Sequence, residues 1–389
     1  MNNRYFSYIA WVAFCAVAYF LGAKASGFAS SMQNGIMLLW LPAGLAVSLL
    51  LLRGIRLWPG IALGALVYAL LDGRPPTQGL LFGFSNAIEA VVIAFLLTRV
   101  AHVKPTFDRP QDILGFLIYA MLLGSGIGTL LDIPRLILSM ERYPFWWANW
   151  MSHAVGILLI TPVVLTWASN HKPNWNPLKA TEFTVLASAL VGLCMVVFIN
   201  VAEVPIGETF PYLLFPLLLW AGLRFGQREV ATLTLTMSVF AIWGATKDLG
   251  PFMTANEEQN LINLYLYLGV MAITAMVLAA EVRERGTAQQ LAIENQAQYS
   301  ELIDTMNEGL VAQDNFGKIS LVNNRFCSML GYTSTELIGK SIRDLVAPGY
   351  CEAWDAQQIK RRTGANAPYT LDVAAKYGSV ITLLVSPIF

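Results

Sequence analysis

The sequence predicts a multi-pass α-helical membrane bundle of about ten transmembrane helices, followed by a C-terminal α/β domain with an antiparallel sheet. Three observations carry this expectation. Hydrophobic residues make up 56% of the chain and charged residues 13%, where soluble domains usually have roughly 25% charged residues. Apolar runs long enough to cross a bilayer, which takes about 20 residues, recur through the first 280 positions. Residues 1–280 hold 28 charged side chains and residues 281–389 hold 22, so charge density doubles near Glu281. This composition excludes a disordered chain. With 25 basic against 25 acidic residues, there is no basic excess with which to bind nucleic acid.

The spans are expected near 5–23, 34–52, 56–71, 79–100, 112–131, 146–168, 181–200, 209–223, 229–246 and 260–281, the third and eighth being short. The first run is too long for the apolar core of a signal peptide and has no small-residue cleavage site behind it, so it reads as the first span. With the amino terminus inside, 12 basic residues fall in inner loops, Arg53, Arg56, Arg99, Lys104, Lys172 and Arg283 among them. The outer loops hold 5: Lys24, Arg74, Arg135, Arg142 and Lys247. Basic loops stay on the cytoplasmic side, so both termini are expected there. The four cysteines are far apart with no CxxC spacing, which points to neither a disulfide framework nor a zinc site.

Pro42, Gly44, Pro59, Gly60, Gly64, Pro162, Pro211 and Pro216 punctuate the spans, and Gly124, Gly126 and Gly128 form a small-residue face. Such residues serve tight helix packing or broken helices around a transported solute. Ionisable groups within a bilayer are costly and mark functional positions. Two stand out: Glu89, with Asn86 one turn earlier, and His153, which follows the aromatic cluster Trp146, Trp147 and Trp150. Glu89 and Asn86 read either as an interhelical hydrogen-bond clamp or as part of a ligand- or proton-sensing pocket. His153 reads as a satisfied interfacial histidine or as a member of that pocket, and the tryptophans also fit an aromatic belt. The candidate sensing residues are therefore Asn86, Glu89, Trp150 and His153. No catalytic or metal-ligating cluster is legible. There is no ladder of intramembrane carboxylates such as a proton-driven carrier needs.

Several short motifs occur in order: Trp40-x-Pro42-Ala43-Gly44, Trp58-Pro59-Gly60 with Gly64, Asn86-x-x-Glu89-Ala90, Phe107-Asp108 with Asp112, and Trp150 through Gly156 leading to Thr161-Pro162-x-x-Leu165-x-Trp167. Over roughly 5–282 the chain resembles the MASE1 domain, a bacterial integral-membrane sensory module. The family carries an acidic residue shortly before the glycine of the sixth span, where this chain has His153. The resemblance implies signal input in a bacterial cell inner membrane and names no stimulus, which is either a small molecule or a state of the membrane.

From Ala279 to Glu301 the sequence turns polar, contains no proline, and is rich in Ala, Glu, Gln and Arg, all good helix formers. A continuous helix is expected to leave the last span. Ala288, Leu291, Asn295, Gln298 and Leu302 share a heptad seam, weakened by its two amides. A helical linker over 282–298 thus separates a membrane domain at 1–281 from a soluble domain at 299–389.

In that soluble stretch, Glu308–Gln313 and Lys318–Val322 read as a hairpin around the turn Asp314-Asn315-Phe316-Gly317. Asn324–Leu330 is a short helix stopped by Gly331, Thr333-x-x-Glu336 is a capping box, residues 351–362 form a longer helix, and 369–376 and 379–388 alternate as strands. The matches Asp314-x-x-Gly317-Lys318-Ile319, Val322-Asn323-x-x-Phe326, Leu330-Gly331-Tyr332 and Glu336-Leu337-Ile338-Gly339-Lys340 resemble a PAS domain. That family has a five-stranded antiparallel sheet whose fifth strand lies between the first and fourth, so the sheet is expected to be truncated before its last strand. All three histidines (His102, His153, His171) precede residue 281, which excludes a histidine-ligated haem in this module. The cysteine run of flavin-adduct PAS domains is also missing, so Cys327 and Cys351 read as small hydrophobes. Trp354 reads as half-exposed packing and Lys360-Arg361-Arg362 as a solvated helix end.

The expected function is sensory input relayed through the linker helix and PAS module to a C-terminal output domain, a histidine kinase of a two-component system or a cyclic-di-GMP cyclase or phosphodiesterase. A parallel connector implies a homodimer. The rival reading is a transporter or channel with a regulatory PAS tail.

Overall fold

A computed structural model of the chain describes residues 2–28, 37–139, 146–169, 175–199, 210–252, 254, 256–314, 316–362 and 367–386. Arg142, His171, Lys172, Asn315, the start of the second expected span at 34–36 and the end of the last expected strand at 387–388 lie outside them. Two compact units divide the chain, Met1–Gly286 and Thr287–Phe389.

The first unit is helical throughout. Its helices are α1 (Asn2–Phe28), α2 (Leu41–Arg53), α3 (Trp58–Leu71), α4 (Pro76–Phe95), α5 (Pro110–Phe116), α6 (Ser125–Ser139), α7 (Trp146–Ala168), α8 (Pro177–Ile199), α9 (Phe215–Arg224), α10 (Gln227–Thr246) and the start of α11 (Glu257–Thr305). A π-helical stretch, Leu117–Gly124, joins α5 to α6, so the two form one apolar segment. Among the described residues ten apolar helical segments result, in the expected order. Seven are long and apolar enough to cross a membrane, and three are shorter: 41–53, 55–71 and 210–224.

The second segment is shorter than its apolar run suggests. Pro42 sits in the first turn of α2 and Gly54, at φ 98°, ends it. Proline lacks the amide that an earlier turn would need, which pins the helix start. Thirteen residues rise only about 20 Å, against a hydrocarbon core of about 30 Å. Large apolar side chains remain exposed on the outward faces, among them Leu130, Val185, Leu223, Trp243 and Leu266. In water such a surface aggregates, whereas against lipid tails it is the ordinary condition of a spanning helix. The chain is a membrane protein.

Within the bundle α3 packs on α1 and α4, α2 on α7, α4 on α6, and α10 on α7 and α8. The α1–α3 contact is backbone to backbone. A Cβ on Gly60 would lie 2.5 Å from Val12 O, and one on Gly64 2.5 Å from Ala16 O. Without an excess hydrophobic drive between helices in lipid, such close approach supplies the packing energy.

Helix α11 runs without a break from Glu257 to Thr305. Its first half is buried in the bundle at Leu264, Leu268, Met271 and Ala275, and from Arg283 to Leu302 its side chains are exposed.

The second unit has an antiparallel hairpin of β1 (Val311–Gln313) and β2 (Ile319–Val322), with a bulge between Ala312 and Gln313. The Asp314 carboxylate accepts the Phe316 and Lys318 amides at 2.9 Å each, and Gly317 supplies the positive φ of 76° that closes the turn. Helices α12 (Asn324–Leu330), α13 (Ser334–Leu337) and α14 (Cys351–Arg362) follow, then β3 (Tyr369–Ala374) and β4 (Val380–Val385), paired antiparallel in unbroken register. Among the described residues the strands form two separate two-stranded ladders, β1–β2 and β3–β4.

The core of this unit gathers Ile319, Phe326, Leu330, Leu337, Leu345, Val373 and Trp354. Trp354 is buried rather than half-exposed. It lies on the inward face of α14, where a large ring fills the layer between helix and strands. Cys327 joins the same core, and burial pushes its thiol up from the ordinary range.

One side chain ties the unit together. Asn323, wholly buried, accepts the amides of Phe326 (2.9 Å) and Leu310 (2.8 Å) and donates to the carbonyls of Ile303 (3.0 Å) and Glu308 (2.9 Å). It thereby caps α12 and joins the last turn of α11 to the hairpin. Replacing it by Leu leaves four backbone groups without partners, each costing about 1–3 kcal/mol. Asn323→Leu is expected to unfold this unit or raise hydrogen exchange at 301–310 at least about tenfold.

The Glu336 carboxylate accepts from Lys376 Nζ at 2.6 Å and caps the Thr333 amide at 2.9 Å. The Lys376 ammonium chiefly, and then the Thr333 amide, hold Glu336 at about 2, below its ordinary 4.5. A depressed carboxyl stabilises the fold above its unfolded value, and that contribution fades as pH falls from 4.5 to about 2. Glu336→Gln is therefore expected to raise exchange of the Thr333 and Ile338 amides slightly at neutral pH, with the difference vanishing across that acid window.

Candidate functional site

Residues three and four apart share a helix face, so α4 presents Phe82, Ser85, Asn86 and Glu89 together. Helix α7 presents His153. What joins them is Trp40, at the mouth of α2. A Cβ on Gly156 would lie 2.2 Å from Trp40 O, and one on Gly44 2.4 Å from Gly156 O, so α2 and α7 meet only because both positions are glycine. The Trp40 amide then donates to Ser152 O at 3.1 Å. Fixed in this way, the indole ring stacks on the His153 imidazole, with centroids 5.9 Å apart and planes 18° from parallel. Its Nε1 donates to Asn86 Oδ1 at 3.3 Å, and Asn86 Nδ2 donates to Phe82 O at 2.9 Å. Tyr19, Tyr68 and Phe82 ring Trp40 edge-on.

At the centre, His153 Nδ1 lies 2.9 Å from Glu89 Oε2 and 3.1 Å from Oε1. Glu89 is 3% and His153 6% exposed. An ionised Glu89 would accept from an Nδ1–H, and a neutral Glu89 would donate to a bare Nδ1, so the contact accommodates a proton on either side. Helix α6 closes the site: a Cβ on Gly128 would lie 2.4 Å from Glu89 Cδ. One turn along α4, the Ser85 hydroxyl donates to the buried Asp132 carboxylate at 2.8 Å.

Three of the four expected residues, Asn86, Glu89 and His153, thus converge around Trp40. The fourth, Trp150, donates its Nε1 to Ser125 Oγ at 2.8 Å. It braces α7 against the segment that bears Gly128. His153 is fully enclosed rather than interfacial. Trp40, Gly128 and the Ser85–Asp132 pair are additional members. Asp132 falls one residue past the fifth expected span, 112–131, so it did not stand out as an intramembrane ionisable group, whereas Ser85 is signalled by its place one turn before Glu89. The role of Gly128 depends on which helix faces it.

The loop motif Phe107-Asp108 serves another contact. Phe107 takes a left-handed φ of 54°, uncommon for a bulky residue. It is buried against Phe116 with ring centroids 5.1 Å apart. Asp112 accepts the Lys104 amide at 3.1 Å, and Asp108 reaches Arg283 of α11 at 3.3 Å. Among the described residues no group of three or more His, Cys, Asp or Glu side chains could hold a metal ion.

A carboxylate and an imidazole enclosed in this way have two charge arrangements, an ion pair or a neutral acid beside a neutral base. Removing one partner of such a pair costs about 3–5 kcal/mol, whereas replacing both by apolar groups is often neutral. Glu89→Ala is expected to lose that much stability and the double variant Glu89→Leu/His153→Leu to recover most of it, as read by thermal unfolding in detergent.

A MASE1 family model matches residues 11–286, and a PAS fold model matches residues 297–373. Over 349 residues the chain is 23% identical to the probable diguanylate cyclase DgcE of Escherichia coli strain K12, covering 83% of this chain and 29% of that protein. The chain therefore spans less than a third of the length of this curated relative. No solved structure matches it.

Proposed function

The chain belongs to the MASE1 family, and from that premise we propose that it is the sensory input part of a longer signalling protein. Its membrane bundle receives a signal, α11 conveys it to the PAS unit, and the PAS unit passes it to an output domain. The observation that carries this reading is the single helix Glu257–Thr305, which serves as last span and as entry to the PAS unit. An unbroken helix passes on a shift or rotation that a flexible tether would absorb.

Reception is assigned to Asn86, Glu89 and His153 beneath Trp40, with Trp150 bracing α7. The stimulus is a small molecule or a membrane state with different affinity for two arrangements of that cluster, the physical requirement for any ligand-driven switch. The printed name of the E. coli relative, a probable diguanylate cyclase, favours a cyclic-di-GMP output over a histidine kinase.

The protein is placed in a bacterial inner membrane with both ends cytoplasmic, on the basic residues of its inner loops. It is read as a homodimer, because Ala288, Leu291, Asn295, Gln298 and Leu302 form an exposed stripe at heptad spacing on α11. An Asn at a core position of such a seam favours parallel, in-register pairing.

The test joins residues 1–389 to a diguanylate cyclase domain and follows cyclic-di-GMP in cells across external pH and a metabolite panel. The parent fusion should change output with one of these variables. Glu89→Gln should lock output at one level, and a Gly-Gly-Pro insertion after Gly286 should abolish the response while leaving the bundle folded. A Glu89→Gln fusion that responds like its parent would remove the site from the reading. Solute flux in proteoliposomes would replace the reading with transport.

A further inference from the structure

Helices α10 and α11 are tied at two levels. Gln227 Nε2 donates to Met276 O at 2.8 Å, and Tyr267 OH lies 3.4 Å from Met237 Sδ. Advancing along α10 matches retreating along α11 almost residue for residue, so the pair is antiparallel in one register. Thr234, seven residues after Gln227, therefore stands level with Gly269, seven before Met276. Ser238 stands level with Tyr265 by the same count.

Among the described residues this stretch is not filled: Gly269 is buried, yet a Cβ built on it meets no described atom within 4 Å. Among the described residues, buried polar groups of the two helices lack partners: the Thr234 hydroxyl (residue 2% exposed), the Tyr265 hydroxyl (4%) and, two turns on beside Met276, the Gln227 carbonyl oxygen (5%). Tyr265 is four residues before Gly269 and Thr234 seven after Gln227, so on each helix these groups share a face. Trp147 of α7 closes the level edge-on, its ring centroid 6.4 Å from that of Tyr265. Buried hydroxyls and amides are nearly always paired, and unpaired ones ask for an explanation.

The charge around the space is equally informative. Helix α10 has no charged residue after Glu229, whose carboxylate caps the Gly226 amide at 3.1 Å. Helix α11 has none between Glu258 and Glu281, and the ionisable residue of α7, His153, faces Glu89. Among the described residues of these three helices a charged guest would find no counterion, which apolar surroundings do not tolerate.

We infer that the space at Gly269 is a second binding site, distinct from the Glu89–His153 cluster, for a small uncharged molecule carrying both hydrogen-bond donor and acceptor groups. The Tyr265 and Thr234 hydroxyls donate to it or accept from it, and Trp147 covers it. Its occupant touches α11, the helix that continues to Thr305, so occupancy acts on the transmitting element without passing through Trp40.

The test uses the full chain in lipid nanodiscs, with N-methylacetamide and propylene glycol as neutral probes and acetate and tetramethylammonium as charged controls. Hydrogen exchange of residues 262–276 and the Tm are read together. Neutral probes should slow exchange saturably and the charged controls should not. Gly269→Leu should fold with a Tm at or above wild type and lose the probe effect. Tyr265→Phe should raise the Tm without probe, because it removes an unpaired buried hydroxyl, and should weaken probe binding about tenfold or more. Each of the following overturns the site: a wild type indifferent to the neutral probes, a probe effect that survives in both variants, or a Gly269→Leu chain with lowered Tm. Ordered water that no probe displaces overturns it as well.

Discussion

A carboxylate and an imidazole 2.9 Å apart, both nearly cut off from solvent, persist inside an apolar bundle only if the helices around them are held in place. Desolvating either group alone is costly, and their mutual attraction offsets this only when geometry is tight. Much of the amino-terminal half reads as the apparatus for that geometry. Glycines 44 and 156 let α2 and α7 touch, Gly128 makes room for the Glu89 side chain, and Asn86 fixes the indole that lies on His153. A close-packed interior does not deform continuously, which is the physical ground for the two arrangements proposed for this cluster.

Helix α7 has a second set of neighbours. His153 and Trp150 look toward α4 and α6, while Trp147 looks toward Tyr265 on α11. Asp108, carried on the loop that Phe107 anchors, touches α11 at Arg283. The last helix thus meets the rest of the membrane unit at its middle and near its exit. In the second unit the same helix ends on Asn323, whose four hydrogen bonds leave the last turn little freedom.

The elements of the second unit were legible almost residue by residue. Asn324–Leu330 ends at Gly331 in a left-handed conformation, and Thr333 and Glu336 form the capping box their spacing implies. These are local signals, carried by neighbours in sequence, so they survive without knowledge of tertiary contacts. The burial of Trp354 did not follow from pattern, since only the packing of α14 on the strands decides which of its faces is inward. In the bundle the ten apolar segments and the unbroken α11 were equally plain. The shortness of α2 was missed because an apolar run does not reveal where proline and glycine cut the helix within it.

Composition and periodicity alone determined that this chain is a membrane bundle followed by a small α/β unit, because hydrophobic burial and helix or turn propensity act over short stretches. They also marked Asn86, Glu89 and His153, since polar groups inside apolar spans are conspicuous. Which helix each of them faces was decided only by the tertiary structure. A polar residue in a span has several possible partners, and the choice rests on where small residues elsewhere in the chain permit backbones to approach. Trp40 on His153, Gly128 under Glu89 and the unfilled level at Gly269 all come from pairings between helices far apart in sequence, which no single stretch of residues encodes.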